Sequence, residues 1–325
     1  MAFNMYTQAQ IAPTRSMVTV STSARLHMGF FDLQGSATRK FGSLGLCIDA
    51  PCTQLVFERS DKTIIDANCS DDNLKIVENI VKSLKVEQKF SLNIIQSIPQ
   101  HIGLGSGTQM ALAIGAGLNQ LFNLNESLQK IAQLSKRGRR SGIGIAAFEQ
   151  GGILIDEGRI GDDLPKLVAR IAFPQTWRVL LVHDSAHIGA HGVVELQAFN
   201  MLKPATGHLR DMVMQEVLPA LQRQDLLAFG KLIEDLQAYN GAYFAPIQGG
   251  HYASNDVAGV LQWVQQNGVV CVGQSSWGPT GFAIVESEES ANNMLKQLQQ
   301  QFSSFNNISF QIVRGKNSGA TIQSG

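Results

Sequence analysis

Ile98-Pro99-Gln100-His101-Ile102-Gly103-Leu104-Gly105-Ser106-Gly107-Thr108-Gln109 is the stretch whose reading decides the fold. Ahead of it Phe90, Leu92 and Ile94 alternate with polar residues, the period of a half-buried strand. Behind it Met110, Ile114, Leu118 and Leu121 recur at helical spacing, which puts a helix start near Ser106. Glycine lets the backbone approach a ligand closely, and the first N–H groups of a helix have no intrahelical acceptor. With the helix dipole added, this strand-turn-helix is a cradle for phosphate or diphosphate, the plainer alternative being a tight turn that serves only packing. It is not a Walker A sequence, since no Gly-Lys-Ser/Thr follows, and the G-x-G-x-x-G spacing is absent.

Working outward, the 325 residues are 44% apolar and 16% charged with zero formal net charge. That describes a globular chain with a real core and no global field to favour nucleic acid or an anionic membrane. No apolar run approaches the roughly 20 residues that span a bilayer. Met1 to Ser16 lacks the charged and apolar regions of a signal peptide and is expected to be a loose arm. Cys47, Cys52, Cys69 and Cys271 include no C-x-x-C pair, which argues against structural zinc and for a reducing cytoplasm.

Val18-Thr19-Val20 reads as the first strand and leads into Ser23–Asp32, where Arg25, His27 and Asp32 interrupt apolar residues. The basic, glycine-punctuated loop from Arg39 to Gly45 could close over an anion. Residues 53–59 and 63–67 suggest a hairpin, and 72–84 an amphipathic helix. Lys136-Arg137-Gly138-Arg139-Arg140 abuts the glycine-rich Ser141–Gly152, which opens a helix: a second anion contact or a solvated face. At Phe173-Pro174 the organisation changes. A strand from Trp177 ends at His183-Asp184, then a loop with Gly189 and Gly192 leads to a short helix with Glu195 and Phe199. A helical pair over 208–239, broken near Pro219, precedes an aromatic loop, Phe244–Tyr252, and a helix over 256–266. Strands at 269–273, 282–285 and 308–313 with a helix at 289–300 complete a β-α-β-β-α-β, ferredoxin-like layer.

Three glycine-bearing stretches therefore stand in order: Ala24-Arg25-Leu26-His27-Met28-Gly29, Pro99–Gln109, and Gly273-Gln274-Ser275-Ser276-Trp277-Gly278-Pro279-Thr280-Gly281. In content and order they resemble the three motifs of the GHMP kinase superfamily, over nearly the whole chain. The resemblance implies an α+β, two-domain fold: a ribosomal-protein-S5-like domain over 17–172 and a ferredoxin-like domain over 173–325. It departs at one place. The catalytic Asp of the kinases falls on Gly144, which has no side chain to take a proton, and an N-terminal Lys found in several of them falls on Arg25, which cannot act as a base.

One branch of the superfamily, the beta-ribofuranosylaminobenzene 5'-phosphate synthases, is similar in those very places. The match runs through Arg25–Gly29 with Asp32, Gly42-Ser43-Leu44-Gly45, Ser141–Gly144, Pro219-Ala220-Leu221, Gln248-Gly249-Gly250 and Gln274–Thr280. This implies a decarboxylating C-ribosyltransferase that joins phosphoribosyl diphosphate to 4-aminobenzoate or 4-hydroxybenzoate, early in tetrahydromethanopterin biosynthesis. An ATP-dependent small-molecule kinase is the alternative. The expected roles are catalysis by Arg25, His27 and Asp32, and phosphate binding by Gly103, Leu104, Gly105, Ser106, Gly107, Thr108, Arg137 and Arg140. Substrate contacts are expected from Ser141, Gly142, Gln248, Ser276, Trp277 and Gly278, with Trp277, Phe244 and Tyr252 as candidates to stack on the acceptor ring. The resemblance also implies magnesium, with Asp32, Asp184 and Glu149 as candidate ligands in that order, and a homodimer.

Overall fold

Strand β1 (Met17–Asp32) runs far beyond the short apolar run at its start. Val18, Val20, Ala24, Leu26 and Met28 are completely buried, so the apolar period carries the strand through Arg25 and His27. This computed structural model describes residues 16–33, 40–189, 199 and 209–325; the N-terminal arm, Arg39, Gly192 and Glu195 lie outside the described residues. β1 pairs antiparallel with β2 (Gly42–Arg59) from Met17 opposite Glu58 to Asp32 opposite Gly42.

After β3 (Ile64–Ile65) and α1 (Asp71–Ser83), β4 (Phe90–Gln96) adds to the far half of β2, and β3 pairs parallel with β4. The hairpin expected over 53–67 therefore does not form. Phe90 and Leu92 are buried on that edge of β2, whereas Ile64 is 55% exposed, so burial favours β4 as the neighbour. α2 (Ser106–Phe122) and α3 (Leu128–Leu134) follow, and α2 is buried on most sides. α4 (Ile143–Glu149), β5 (Ile153–Asp156) and β6 (Leu167–Ile171) then extend the sheet from the near half of β2.

The second sheet uses β7 (Arg178–Asp184), β8 (Val272–Gln274), β9 (Gly281–Val285) and β10 (Ile308–Val313), in the order β10-β7-β9-β8 with every pair antiparallel. That is the ferredoxin-like order. Between β7 and β8 lie α5 (Leu209–Gln222), α6 (Leu226–Gln248) and α7 (Asn255–Gln266), and between β9 and β10 lies α8 (Glu288–Gln301). Pro219 sits inside α5; the break falls at 223–225, where Asp225 caps α6. Residues 244–248 are helix, not loop: Tyr243 and Phe244 are buried, Pro246 falls in the last turn, and Gly249 at φ +84° closes the helix.

The last strand, β11 (Thr321–Ser324), crosses back and pairs with the start of β1. The segment from residue 173 is thus not self-contained. One apolar cluster also runs from Leu26, Met28 and Leu46 through Trp177 and Val179 to Phe229, Ile233 and Phe282, joining both sheets. No helix of the described residues is long and apolar enough to cross a membrane.

Candidate active site

A strand edge must find partners for its backbone groups. β11 covers the outer edge of β1 only at residues 18–21. Beyond that, the edge is held by three other parts of the chain. Arg25 N–H donates to the Leu104 carbonyl at 3.2 Å, and Ser276 N–H donates to the His27 carbonyl at 2.9 Å. His27 N–H donates to Ser275 Oγ at 3.0 Å. On α6, Gln237 Nε2 donates to the Met28 carbonyl at 2.6 Å, while Asn240 accepts from Phe30 N–H and donates to the Phe30 carbonyl. The exposed edge of one strand is the rail on which the site is assembled.

The three glycine-bearing stretches meet at Gly103. Its carbonyl accepts from Arg25 Nη1 at 2.6 Å and from Ser275 Oγ at 2.8 Å. Gly103 has φ +85°, and a Cβ there would lie 2.3 Å from the Ser275 carbonyl oxygen. Only glycine tolerates that conformation and that approach together. Gly105, at φ +82°, is the N-cap of α2; no side chain caps this helix and no acidic residue lies in its first turn. Two guanidinium groups lie beside this turn. Positions for a Cβ on Gly105 and Gly107 lie 3.0 Å from Arg25 Cζ and 3.2 Å from the terminal nitrogens of Arg137. Two arginines thus flank a helix N-terminus of 17 residues, with Ser106 and Thr108 partly exposed between them.

Next to this cradle is a recess lined by His27, Gly29, Phe30, Phe244, Ser276 and Trp277. Its open core is about 20 Å³, room for little more than one water, so a larger ligand would enter only as side chains move. The Phe244 and Trp277 rings are 4.2 Å apart, and Phe199 lies 5.7 Å and 5.6 Å from them, edge on. His27 is fully buried, and its Nε2 has no hydrogen-bond partner among the described residues. Burial, reinforced by the Arg25 charge, pulls its pKa down to about 3, so the imidazole is neutral.

Other expected residues fall elsewhere. Ser141 and Gly142 are turned to an internal partner: the buried Asp156 carboxylate accepts from Gly142 N–H at 3.0 Å and Ser141 Oγ at 3.3 Å. It also accepts from Ser43 Oγ and from Gly158 N–H at 2.9 Å. The donors expected for substrate are satisfied by the protein itself. Gly144 lies in α4 against the Gly103–Thr108 turn, and a Cβ there would come within 3.0 Å of Thr108 Cγ2. Gln248 donates to the Gly250 and His251 carbonyls and accepts from Gln274, holding the turn after α6. Gly278, at φ +65°, packs against Gln274 and Ala253. Asp32, at the other end of β1, pairs with Arg210 at 3.5 Å. Tyr252 packs against the second sheet, away from the ring cluster that holds Trp277 and Phe244.

The candidate magnesium ligands do not converge. Asp184 is buried with its oxygens committed to Ala186 N–H, His187 Nδ1, Ser254 Oγ and Asn307 Nδ2. Glu149 is exposed at the far end of α4. Among the described residues no group of three His, Cys, Asp or Glu side chains gathers.

Several residues of the site carry no sequence signal that singles them out. Gln109 is completely buried and bridges Thr22 Oγ1 to the Gly144 carbonyl, at 2.6 Å and 2.7 Å. Gln237 and Asn240 are amides inside an apolar helix face, and that misplacement in α6 is the one hint they give. Asp156 closes the otherwise apolar run Ile153-Leu154-Ile155, which marks it as a buried acid in need of partners.

Comparison with known proteins agrees with this fold. The family model for the GHMP kinases N terminal domain matches residues 73–152, and that for the GHMP kinases C terminal domain matches 217–304, together just over half the chain. A beta-ribofuranosylphenol 5'-phosphate synthase of Archaeoglobus fulgidus is 27% identical over 309 residues, covering 88% of this chain and 93% of its own. One of the same name from Methanocaldococcus jannaschii is 29% identical over 311 residues, covering 85% and 92%. A crystal structure of homoserine kinase from Cytophaga hutchinsonii superposes with a TM-score of 0.67 at 16% identity, over 98% of this chain and all of the other, a likeness of fold. Fold, loop and both domain matches agree: this chain belongs to the GHMP kinase superfamily.

Proposed function

We propose that this chain is a pentosyltransferase that joins phosphoribosyl diphosphate to 4-hydroxybenzoate or 4-aminobenzoate with loss of carbon dioxide and diphosphate. The reading is supported by the two synthases similar to it over most of their length. The observation that carries it is the cradle at Gly103–Thr108: an uncapped helix start, free of acids and flanked by Arg25 and Arg137. A diphosphate leaving group needs such fixed donors where its charge develops.

In the step proposed, the bond from ribose C1 to the diphosphate oxygen breaks and the acceptor carbon bearing the carboxylate bonds to C1. The electron pair of the bond to the carboxylate then returns to the ring as carbon dioxide leaves, with no net proton change. The rings of Phe244 and Trp277 would hold the acceptor, and His27 Nε2 would meet its 4-substituent. Burial holds the His27 imidazole far below the range in which a phenol gives up its proton, so full proton transfer to it is unfavourable. His27 therefore acts as a hydrogen-bond acceptor that polarises the ring, not as a base that is left protonated.

The competing ATP-dependent kinase would need a carboxylate near position 144, where Thr108 leaves no room for a side chain without movement. Magnesium is an expectation of the resemblance; among the described residues no set of side chains gathers to hold it. Cytoplasmic residence and a homodimer complete the proposal, the latter open to sedimentation at working concentration. The deciding experiment incubates the protein with magnesium, phosphoribosyl diphosphate and carboxyl-labelled 4-hydroxybenzoate or 4-aminobenzoate. Labelled carbon dioxide is expected from at least one acid; release from neither sinks the reading.

A further inference from the structure

Gln109 closes the first turn of α2, and its side chain is completely buried. Its amide reaches two other elements. Nε2 donates to the Gly144 carbonyl in α4 at 2.7 Å, and Oε1 accepts from the Thr22 hydroxyl in β1 at 2.6 Å. The partners fix which end of the amide is which, because a carbonyl only accepts and a hydroxyl can donate. Thr22 is itself buried, three residues before Arg25 on the same strand. The turn ahead of α2 is tied to that strand a second time: Arg25 N–H donates to the Leu104 carbonyl at 3.2 Å, and Arg25 Nη1 to the Gly103 carbonyl at 2.6 Å. Between the two attachments lie Gly105, Ser106 and Gly107. The N–H groups of Thr108 and Gln109 already donate to the Gly105 carbonyl, at 3.1 Å each, so the donors the helix start leaves for a ligand are those of Ser106 and Gly107.

We propose that Gln109 is a positioning residue for the anion cradle: its amide locks the first turn of α2 to β1 and α4, so that the Ser106 and Gly107 N–H groups and the Arg25 guanidinium keep one mutual geometry for an incoming diphosphate. This rests on the reading of that cradle as a diphosphate site. An apolar side chain of the same length would fill the place of Gln109 without the cost of burying an amide. What hydrogen bonds to two different elements add is direction. Donors fixed beforehand need no reorganisation when charge arrives, and a displacement of about 1 Å can cost roughly 100-fold in rate.

Calorimetric titration with inorganic diphosphate, run below the melting temperature of each protein, tests the assignment in three variants. Gln109→Met keeps the length and removes both hydrogen bonds, so affinity is expected to fall roughly tenfold; Thr22→Val removes one of them and should lose less. Gln109→Glu is a rescue that pH controls. Protonated, the carboxyl can donate to the Gly144 carbonyl and accept from Thr22 as the amide does; ionised, it can donate to neither. Its affinity relative to the wild-type protein at the same pH should match near pH 5 and fall roughly tenfold by about pH 8. A residue that only filled the core would lower the melting temperature and leave the affinity of the folded protein unchanged. Unchanged affinity in a folded Gln109→Met protein therefore overturns the role, and should that variant fail to fold, a Gln109→Glu ratio that is flat with pH does the same. A loss confined to Gln109→Glu also overturns it, since the added charge then accounts for the effect. A wild-type protein that binds no diphosphate removes the cradle and this role with it. Diphosphate binding that depends on Gln109, in a protein that releases no carbon dioxide from either acid, keeps the role and removes the ribosyl transfer.

Discussion

Two helices of the first domain begin on glycine with no side-chain cap and no acidic residue in the first turn: α2 at Gly105 and α4 at Gly142. By sequence both are candidate anion sites. In the structure they differ completely. The start of α2 opens toward two guanidinium groups, whereas the start of α4 gives its Gly142 N–H to Asp156. A glycine-rich helix start is left open to an anion only where the chain has not supplied its own acceptor. The two starts also touch, because Gly144 packs against Thr108 and its carbonyl accepts from Gln109. The buried acid holds α4 in place, and α4 backs the loop.

The sharpest way to break the comparison is to close the α2 start. Gly103→Ala puts a Cβ 2.3 Å from the backbone oxygen of Ser275 at a φ of +85°. Backbone on both sides cannot yield cheaply, so a loss of about 2–4 kcal/mol in stability is expected, with donor binding abolished. Thermal melting and titration with inorganic diphosphate read the two effects. Arg137→Ala leaves the backbone alone and removes one charge-assisted contact, about 1.5–3 kcal/mol, so the KM for phosphoribosyl diphosphate should rise roughly 10–100-fold. An unchanged KM would mean that this helix start holds no phosphate.

The α4 start is tested through Asp156. Burial raises its pKa to about 7 against four hydrogen bonds that favour the carboxylate. The folded protein then holds a proton that the unfolded chain has already released above the ordinary carboxylate range. Its contribution to stability is full below that range and is lost as pH rises toward 7. Melting temperature should accordingly fall between pH 4 and 7. Asp156→Asn should flatten that fall while lowering stability throughout by about 1–3 kcal/mol, since an amide cannot accept from every donor. A wild-type curve that rises over the same window contradicts the buried protonated acid.

The contrast also explains how much could be read beforehand. Periodicity around Phe90 and Met110 located the strand, the turn and α2, and the strand from Trp177 with the alternation over residues 269–313 the ferredoxin-like layer, because local patterns decide them. Strand neighbours were less legible: that β4 displaces β3 beside β2, and that β11 returns to β1, depends on which apolar faces remain to be covered. Arg25 and His27 stood out in the sequence as polar interruptions. Gln109 did not, because its partners Thr22 and Gly144 lie 87 and 35 residues away in sequence; Asp156 was legible as a buried acid, but its partner Ser43 lies 113 residues away.

Gly144 gives the smallest effect and the finest distinction. Placing alanine in a helix interior favours the folded state by about 0.5–1 kcal/mol. The Cβ would meet Thr108 Cγ2 at 3.0 Å, a side-chain contact that must give by a few tenths of an ångström. The two terms nearly cancel, so Gly144→Ala should leave stability within about 1 kcal/mol and ribosyl transfer largely intact. Gly144→Asp restores the residue type that the resemblance implies for a kinase of this superfamily, yet it sets a carboxylate beside the Thr108 end of the proposed diphosphate cradle. Its expected outcome is weaker binding of phosphoribosyl diphosphate and no ATP-dependent phosphorylation of sugars or polyols. Should that single change instead awaken a kinase, Gly144 would be the only thing separating the two chemistries, and the guanidinium pair at α2 would serve ATP as readily as a ribosyl donor.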